Sequence, residues 1–375
     1  MADEKSRPRI VIIGLGETGI LTATRLSRSA DIVAIATKPC LVSGQELGTR
    51  LTAPDAWKRE YLIGFGQFRH LDGVKIIEAR AVSLDVAAQS LAIEHLGGAH
   101  EAINYDILVI ASGISNGFWR DDAFRDRAEI EADLTRNAAT LAKAQTIAVV
   151  GGGPSGVSTA VNLAATYTDK AVHLFHAGDA PLPGYHPDTR TSVVAQLAVK
   201  GVKLHPHHRA ILPGEERMRA IDSGEIIWES GEPRFVADAI IWATGAARPN
   251  SGFLPADMLD AKGYVLTDPT LHAQGHTNIF AIGDVAATDP HRSSARNWAY
   301  RILAHNINAL LSDKPLKLKR FEAPPYRWGS IIGLQANGLT IHQADGKIMR
   351  LSRWIVRNLL YPIAVHRVIY RGVRR

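Results

Sequence analysis

The strongest constraint on this chain is a glycine-rich motif that occurs twice. A run of β-branched residues near the amino terminus ends in Gly14-Leu15-Gly16-Glu17-Thr18-Gly19, and the pattern returns at Gly151-Gly152-Gly153-Pro154-Ser155-Gly156. In such a motif the first glycine makes a tight turn, the second lets backbone approach a diphosphate, and the third lets helix pack on strand. Two copies, each between a strand pattern and a helix pattern, predict that one chain binds two dinucleotides.

The sequence around each motif is also repeated. An apolar run ending in Ala111-Ser112-Gly113 follows the first motif, and one ending in Ala243-Thr244-Gly245 follows the second. Small residues at a strand end let the chain pass close to a bound cofactor, so we expect Ser112, Gly113 and Gly245 to contact the ligands. The repeat of strand, glycine loop, helix and later strand predicts an α/β fold with two Rossmann-like domains.

Both units lack an acidic residue that such domains usually carry. A carboxylate about 20 residues beyond the glycines normally binds the adenosine ribose. The first unit has Ala36-Thr37-Lys38 at this place and the second has His176-Ala177-Gly178. Without the carboxylate a 2′-phosphate is not repelled, which leaves both NADH and NADPH open. Lys38 and His176 are candidate contacts for the adenosine end, and each is equally well explained as a polar residue at a strand end.

A third apolar strand, near residues 277–282, ends in Gly283-Asp284. A carboxylate at the carboxyl end of a parallel strand points into the ligand crevice, so Asp284 is predicted to accept a hydrogen bond from a ribityl hydroxyl. The alternative is a helix or turn cap. A helix predicted for about 295–311 would direct its positive amino-terminal end at the flavin N1/O2 region. Trp298, near the start of this helix, is included among the predicted cofactor contacts.

With these motifs in this order, residues 9–345 resemble the pyridine nucleotide–disulfide oxidoreductases, a family of flavoproteins with two dinucleotide-binding domains. The resemblance implies FAD on a discontinuous domain of residues 9–120 and 246–345. It implies NAD(P)H on an inserted domain, 121–245, and hydride transfer from nicotinamide to flavin. It also implies FAD contacts at Arg50, Val82 and Asp284.

The single cysteine, Cys40, separates this chain from one large part of that family. Disulfide reductases of the family carry two cysteines beside the flavin, so electrons must leave the flavin by another route here. Chain length and the Pro154-Ser155-Gly156 loop are most similar to the apoptosis-inducing-factor-like, mitochondrion-associated branch. That branch includes the ferroptosis suppressor proteins and is related to type II NADH:quinone oxidoreductases, which implies a quinone as the electron acceptor.

Two alternatives to quinone reduction stay open, because the chain departs from its relatives near the flavin. The relatives usually have Glu two residues after the second motif, where this chain has Ser158. The alternatives are a reductase of a ferredoxin- or rubredoxin-type iron–sulfur protein and a non-enzymatic redox-sensing flavoprotein. No catalytic side chain is predicted, because the cofactor itself carries the hydride chemistry.

Positive charge is concentrated at the carboxyl end. The chain carries a net charge of +6, but residues 346–375 hold eight Lys and Arg and no acid. We expect residues 347–361 to form a basic amphipathic helix, ended by Pro362, with Trp354 and Tyr361 at its border. Such a segment suits peripheral contact with an anionic membrane through residues 347–375. The alternative is packing on the body with solvated arginines. Nucleic-acid binding is not expected, because no recognition fold surrounds the charge.

The remaining sequence features limit location and metal content. No run reaches the roughly 18 apolar residues of a membrane-spanning helix, and the first residues have no apolar signal core. We therefore expect a cytoplasmic protein, with or without contact at the cytoplasmic face of a membrane, as a monomer or homodimer. The histidines of His205-Pro206-His207-His208 have no partner ligands at zinc spacing, so we predict an exposed loop and no metal site.

Overall fold

The computed structural model describes residues 7–245, 247–292, 295, 297–312 and 316–374. Ala246 and Arg375, which lie at predicted segment boundaries, fall outside the described residues. The first described part, residues 7–115, contains nine strands and three α-helices. These are β1 (Arg9–Ile13), α1 (Glu17–Leu26), β2 (Asp31–Ala36), β3 (Cys40–Val42), α2 (Leu47–Thr52), α3 (Pro54–Tyr61), β4 (Leu62–Gly64), β5 (Val74–Asp85), β6 (Ser90–His95), β7 (His100–Asn104), β8 (Ile107–Ile110) and β9 (Ile114–Ser115).

The middle part of the chain repeats the alternation of strand and helix. Its elements are α4 (Arg127–Lys143), β10 (Thr146–Val150), α5 (Pro154–Thr166), β11 (Ala171–Phe175), α6 (Pro187–Val199), β12 (Lys203–His205), α7 (Glu215–Met218), β13 (Asp222–Ile226) and β14 (Phe235–Trp242). The last part contains β15 (Arg248–Pro249), β16 (Ile279–Ala281), α8 (Ala299–Leu310), β17 (Leu334–Gln335), β18 (Gly338–His342), β19 (Ile348–Leu351) and α9 (Arg353–Ile355).

Two sheets organise these elements. The first has the order β16-β8-β1-β2-β5-β6-β7 and the second has the order β12-β11-β10-β14-β13. In both, the strand before the glycine motif lies between two parallel neighbours: β1 between β2 and β8, and β10 between β11 and β14. The side chains of β1 from Ile10 to Ile13 are at most 4% exposed, because helices and loops cover both faces of the strand. The predicted α/β fold with two Rossmann-like units is confirmed.

The chain leaves the first sheet and later returns to it. β16 pairs in parallel with β8, and β15 pairs antiparallel with β9, so segments after residue 245 rejoin segments before residue 116. The β5–β7 strands extend the first sheet as an antiparallel meander. The second sheet is formed by the residues that lie in sequence between these two stretches of chain. The stretch before residue 116 and the stretch after residue 245 meet at the carboxyl ends of β1 and β8. The glycine motifs of the two units therefore lie on one side of the molecule.

The carboxyl-terminal segment packs on the first unit. A helix begins with α9 and continues from Val356 to Ile369 as a π-helix. In a π-helix the N–H groups bond to the carbonyls five residues back, as Tyr370 N–H does to the Val365 carbonyl. Pro362 lies inside this helix, so the prediction that it ends the helix was wrong. The i→i−5 ladder loses one donor at the proline and continues on both sides of it. Among the described residues, no helix is both long and apolar enough to cross a membrane.

The packed face of this segment is apolar and aromatic. Val356, His366 and Tyr370 are buried, and the Tyr370 ring lies 5.2 Å from the Phe68 ring, edge to face. Arg371 Nη1 donates 2.6 Å to the Thr24 carbonyl on α1, and Arg374 forms an ion pair with Asp72. The opposite side is different: Trp354, Leu359, Ile363 and Val368 are each more than 40% exposed. The segment thus packs with one face and presents apolar residues with the other.

Candidate functional site

One crevice of about 970 Å³ runs between the two glycine motifs. Its volume is at the upper end of the range for small-molecule sites, about 300–1,000 Å³, as expected of a site for two dinucleotides. Its lining joins segments from the whole chain. They include all of residues 13–18 and 79–82 and parts of residues 35–50, 111–125, 153–158, 243–253, 283–295 and 327–331.

The two glycine loops have the same geometry. Gly14 and Gly151 have positive φ values, +95° and +129°, which favour glycine. A Cβ added at either would collide with the carbonyl oxygen at the end of the neighbouring strand, Ala111 or Ala243. These glycines therefore allow the turn to pass the next strand, as the motif predicts.

Of the two remaining glycines in each loop, one allows the helix to pack on the strand and the other leaves open space for a ligand. A Cβ at Gly19 would collide with the Gly14 carbonyl, and one at Gly156 with the Gly151 carbonyl, so both positions serve helix packing. Around Gly16 and Gly153 no atom lies within 4 Å of an added Cβ. The middle glycine therefore faces open crevice in both units. The helices that follow begin at Gly16 and Gly153 without a side-chain cap, which leaves amide N–H groups for an anionic ligand.

Two residues of the first motif hold the loop against its surroundings. The Glu17 carboxylate accepts hydrogen bonds from Ser43 Oγ and Gln45 Nε2, which tie α1 to the segment before α2. A Cβ at Gly283 would lie 3.2 Å from Thr18 Oγ1, so the β16 turn passes close to the first loop. All five residues line the crevice. The predicted contacts Glu17, Thr18 and Gly283 therefore lie next to one another in the crevice wall.

Asp284 lies in the crevice where β16 ends, with Gly283 in the left-handed region at φ +87°. Arg120 Nη1 donates a hydrogen bond of 2.6 Å to Asp284 Oδ2. Arg292 Nη1 donates 3.0 Å to the Asp284 carbonyl while its guanidinium lies 3.7 Å from the Tyr264 ring centre. Two cations thus hold both the side chain and the backbone of Asp284. Neither arginine belongs to a motif that the sequence displays.

Arg50 and Val82 line the crevice for different reasons. Arg50 is 6% exposed, donates 2.9 Å to the Trp119 carbonyl from Nη1, and lies 4.8 Å from the Trp57 ring centre. Burial lowers the pKa of Arg50 to about 10, so it stays charged at neutral pH. Val82 lies where the β5–β6 register shifts between Ala81 and Ser83. Such a bulge frees backbone groups from the ladder, and here it places them at the crevice.

Lys38 also reaches the crevice, but it has partners in the protein. Its Nζ donates to the carbonyls of Asp121 (2.8 Å) and Ala123 (3.2 Å) and forms an ion pair with Asp121 Oδ1 at 3.3 Å. Burial lowers the pKa of Lys38, and the nearby Asp121 opposes this shift. Lys38 therefore fixes the 121–123 loop over the end of β2. Its contact with the adenosine end of a ligand stays a prediction.

Ser112 and Gly113 connect the chain before residue 116 to the chain after residue 245. Ser112 Oγ donates 2.6 Å to the Asn250 carbonyl, and Asn250 Nδ2 donates 3.0 Å to the Ser112 carbonyl. Asn250 N–H bonds to the Gly113 carbonyl at 3.0 Å. This pairing closes the crevice beside Gly245. Sequence reasoning missed Asn250, because its partners are more than a hundred residues away.

The second unit contributes Pro154, Ser155 and Gly245 to the crevice, together with Ser158. Ser158 is buried, and its Oγ has no hydrogen-bond partner within the described part of the chain. A Cβ at Gly48 would collide with the Ser158 carbonyl, so α2 packs closely on α5 here. Ser158 therefore offers only a hydroxyl at this point of the crevice.

Besides Gly19, Gly151 and Gly156, which make the turn and helix contacts described above, two further predicted contacts do not line the crevice. His176 is buried beside Gly152, where an added Cβ would lie 2.7 Å from the His176 Cβ, and burial lowers its pKa. Trp298 is 38% exposed and packs with Arg301, whose Cζ lies 4.0 Å from the ring centre. Neither residue is among those that line the crevice, so their contact with a ligand stays a prediction.

The histidine run is not a loop of exposed side chains, which corrects that prediction. His205 Nε2 lies 2.9 Å from His173 Nδ1, and the His205 ring stacks on Phe175 at 4.3 Å. His208 packs edge-on against Trp228 at 4.8 Å, whereas His207 is largely exposed. The apolar surface of Phe175 and Trp228 draws two of the three rings inward. Across the described residues, no group of three His, Cys, Asp or Glu side chains could hold a metal ion.

Comparison with known proteins identifies the family of this chain. The model of a family described as "Pyridine nucleotide-disulphide oxidoreductase" matches residues 8–306. Ferroptosis suppressor protein 1 of Xenopus tropicalis is 24% identical over 325 residues, which cover 82% of each chain. The type II NADH:quinone oxidoreductase NdhA of Mycobacterium tuberculosis is 26% identical over 416 residues, covering 95% of this chain and 84% of that protein. The solved NDH2 of Plasmodium falciparum in complex with NADH has the same fold, with TM-score 0.72, 13% identity and 97% of each chain covered.

Proposed function

Because the chain belongs to the pyridine nucleotide-disulphide oxidoreductase family and is an NAD(P)H-dependent flavoprotein oxidoreductase, we propose that its electron acceptor is a quinone. The family predicted from the motifs is thereby confirmed, and so are FAD and NAD(P)H as its cofactors. The acceptor and the residues that hold each group are our proposals.

The residues of the crevice fit the two cofactors. We assign the FAD diphosphate to the backbone at Gly14, Gly16 and Gly19, and the NAD(P)H diphosphate to Gly151, Gly153 and Gly156, because Gly16 and Gly153 face open space. Asp284 is suited to a ribityl hydroxyl, and the bulge at Val82 to the adenine. When bound, FAD would take a hydride from NAD(P)H and pass two electrons on. We therefore propose residues 9–120 and 246–345 for FAD, and 121–245 for NAD(P)H.

The observation that carries the quinone proposal is that both glycine loops open on one crevice in a chain with a single cysteine, Cys40. A redox disulfide cannot form within the chain, and Cys40 itself is buried. Electrons must therefore pass directly from the bound flavin to an acceptor that reaches the crevice. The similarity to an NADH:quinone oxidoreductase over 95% of this chain supports a quinone.

Anaerobic stopped flow on the purified yellow protein tests this proposal. The flavin is first reduced with NADH or NADPH and then mixed with a short-chain quinone, while the oxidised flavin band is followed. We expect reoxidation by the quinone to be much faster than reoxidation by oxygen. Prompt reduction followed by slow reoxidation would exclude the quinone and direct the search to an iron–sulfur protein acceptor. A slow reduction step with a stable complex would favour a redox sensor instead.

We further propose that the carboxyl-terminal helix touches an anionic membrane, where a lipid-soluble quinone is available. Trp354, Leu359 and Ile363 are exposed beside Arg353 and Arg357, as in helices that lie on a membrane surface. Deleting residues 347–375 is a poor test, because the buried Tyr370 and His366 belong to the body.

Point substitutions on the exposed face test this membrane proposal. The triple variant Trp354→Ser, Leu359→Ser and Ile363→Ser should lose flotation with vesicles of anionic phospholipid. Val199→Ser is the matched control, because Val199 is 84% exposed on α6. Unchanged flotation of the triple variant would contradict the proposal.

A further inference from the structure

A second cavity of about 530 Å³ lies between α2, α3 and the carboxyl-terminal helix. Its lining combines acids, arginines and tyrosines, namely Glu46, Thr49, Ala56, Arg59, Glu60, Tyr61, Leu334, Arg357 and Tyr361. Glu46 also lines the large crevice, so this residue lies in the wall between the two cavities. With about 30 Å³ per molecule of liquid water, the second cavity has room for a chain of several waters.

Glu46 is held in this wall by its backbone and by Gly333. Its φ is +56°, in the left-handed region, which directs the chain from the crevice into α2. A Cβ at Gly333 would collide with the Glu46 carboxylate, so the glycine makes room for it. The segment of Gly333 leads into the β17–β19 sheet and the carboxyl-terminal helix. The carboxylate therefore lies at the point where the crevice, α2 and the tail segment meet.

A tyrosine pair bridges the second cavity. Tyr61 OH and Tyr361 OH are 2.5 Å apart, and their rings are 6.2 Å apart, edge to face. The Tyr61 ring also stacks on Trp57 at 6.0 Å. Burial, and then the neighbouring Tyr361, Glu46 and Glu17, raise the pKa of Tyr61 well above its usual value. The phenol thus stays protonated and is suited to pass a proton by accepting one while donating another.

A second pair continues the network toward the tail. His366 Nε2 lies 3.3 Å from Glu60 Oε2, and His366 is 4% exposed. The His366 ring is 6.5 Å from the Tyr361 ring. Arg59 and Arg357 face the same cavity and balance the charge of Glu46 and Glu60. Titratable groups therefore run from the carboxyl-terminal helix to the wall of the crevice.

Quinone reduction by NAD(P)H consumes a proton. In the balanced reaction, NAD(P)H + H⁺ + quinone gives NAD(P)⁺ + quinol, so the nicotinamide supplies one hydride and the solution supplies the second hydrogen as a proton. Ser158 offers no carboxylate for this transfer. We propose that the second cavity delivers this proton to the acceptor's oxygen, from Glu60 and His366 through Tyr361 and then Tyr61 to Glu46. This inference rests on the proposed quinone acceptor.

Within this network the residues have different roles. Glu46 is the group at the crevice, and its carboxyl group gives up a proton to the acceptor and is reprotonated from the cavity. Tyr61 and Tyr361 are positioning residues that carry the proton to it. General acid catalysis of this kind typically contributes a factor of roughly 10²–10⁴, of which loss of one relay hydroxyl should remove only part, because water can replace it.

Conservative variants of the full flavin-loaded protein test the relay. Tyr61→Phe and Tyr361→Phe remove one hydroxyl each and keep the ring, and Tyr167→Phe at the far end of α5 is the matched control. We expect reoxidation of the reduced protein by a short-chain quinone to slow by roughly tenfold in the two variants. The solvent isotope effect on this step should increase. Reduction by NADH, and reoxidation by ferricyanide, which takes up no proton, should be unchanged.

A second readout does not depend on turnover. Alkaline titration of tyrosinate absorbance should show the Tyr61 phenol ionising at lower pH in Tyr361→Phe than in the wild type, because its hydrogen-bond partner is gone. Equal reoxidation rates and equal isotope effects in variant and wild type would overturn the relay, as would equal slowing with ferricyanide. A wild-type protein that quinone does not reoxidise would overturn the proposed acceptor itself, and the relay with it.

Discussion

Arg120 Nη1 and Asp284 Oδ2 are joined by a 2.6 Å hydrogen bond across the crevice, although 164 positions separate the two residues in the chain. Both side chains are partly buried, at 30% and 22% exposure. Arg120 also lies against Gly44, where an added Cβ would collide with the guanidinium. The pair therefore connects three segments at the carboxyl edge of the first sheet, and it fixes the direction of the carboxylate that we assign to the FAD ribityl chain.

Replacing Asp284 by Asn should weaken FAD binding. Hydrogen bonds to a charged group contribute about 1.5–3 kcal/mol, so the dissociation constant should rise roughly 10- to 100-fold. The quenching of flavin fluorescence in titrations of the flavin-free protein measures this constant. Asp257→Asn, at an exposed position outside the crevice lining, is the control. Equal affinity of Asp284→Asn and wild type would show that the carboxylate does not hold the cofactor.

The glycines of each motif should separate into two classes when replaced by Ala. Gly19→Ala places a Cβ against the Gly14 carbonyl, and overpacking of this kind costs about 1–3 kcal/mol. Gly16→Ala meets no protein atom, so the urea midpoint of the flavin-free protein should be unchanged while FAD binding weakens several-fold. Gly153→Ala should raise the KM for NAD(P)H and leave FAD affinity intact. A lower urea midpoint for Gly16→Ala would show that this glycine is needed for the fold. It would then contradict the assignment of the space beside Gly16 to the diphosphate.

Local patterns in the sequence predicted one part of the site and long-range contacts determine the other. The positions of the motif glycines and of Asp284 at the crevice were predictable because the strand, the turn and the crevice-lining residues occur within a few consecutive positions. Arg120 and Asn250 were missed, because each bonds to a segment more than a hundred residues away. No spacing or periodicity encodes such pairs. The same holds for Tyr61 and Tyr361, whose contact depends on where the tail packs.

The predictions that went wrong share a physical cause. Pro362 was expected to end a helix, but tertiary packing of Val356 and Tyr370 holds the helix on the body past the proline. His205 was expected in an exposed loop, but the apolar rings beside it offer more favourable burial. In both cases packing with distant segments outweighed a local preference. Local signals set the strands and turns, whereas tertiary contacts decided the rest.

Coenzyme preference should respond to a charge placed just beyond β11. This strand ends without a carboxylate, so we expect NADPH to reduce the flavin as well as NADH. Ala177 is exposed directly after His176, and Ala177→Glu restores an acid there. The KM for NADPH should rise at least about tenfold relative to NADH, because like charges in contact cost several kcal/mol. Ala177→Gln controls for size. Equal effects of Glu and Gln would place the adenosine end elsewhere.

The buried His173, paired with His205, should make the second unit sensitive to acid. Burial, and then repulsion from His205 and Lys203, lower the pKa of His173 to about 4, whereas an unfolded His titrates near 6.5. Below pH 6.5 the unfolded chain therefore binds a proton that the folded chain does not. The stability contributed by the neutral ring is complete above pH 6.5 and is lost as pH falls toward 4, by at most about 1.4 kcal/mol per pH unit.

The variant His173→Phe should reduce this acid sensitivity. Phe keeps an aromatic ring against Phe175 and Phe235, which lie 6.1 and 4.6 Å from the His173 ring, and it cannot take up a proton. Urea unfolding midpoints between pH 4 and 8 should therefore fall less steeply below pH 6.5 than in the wild type. His100→Gln, at an exposed position on β7, should leave the pH profile unchanged. In the wild type, His173 takes up a proton when the chain unfolds below pH 6.5, and the Phe variant cannot do so. Parallel pH profiles of His173→Phe and wild type would therefore show that another group controls the acid response.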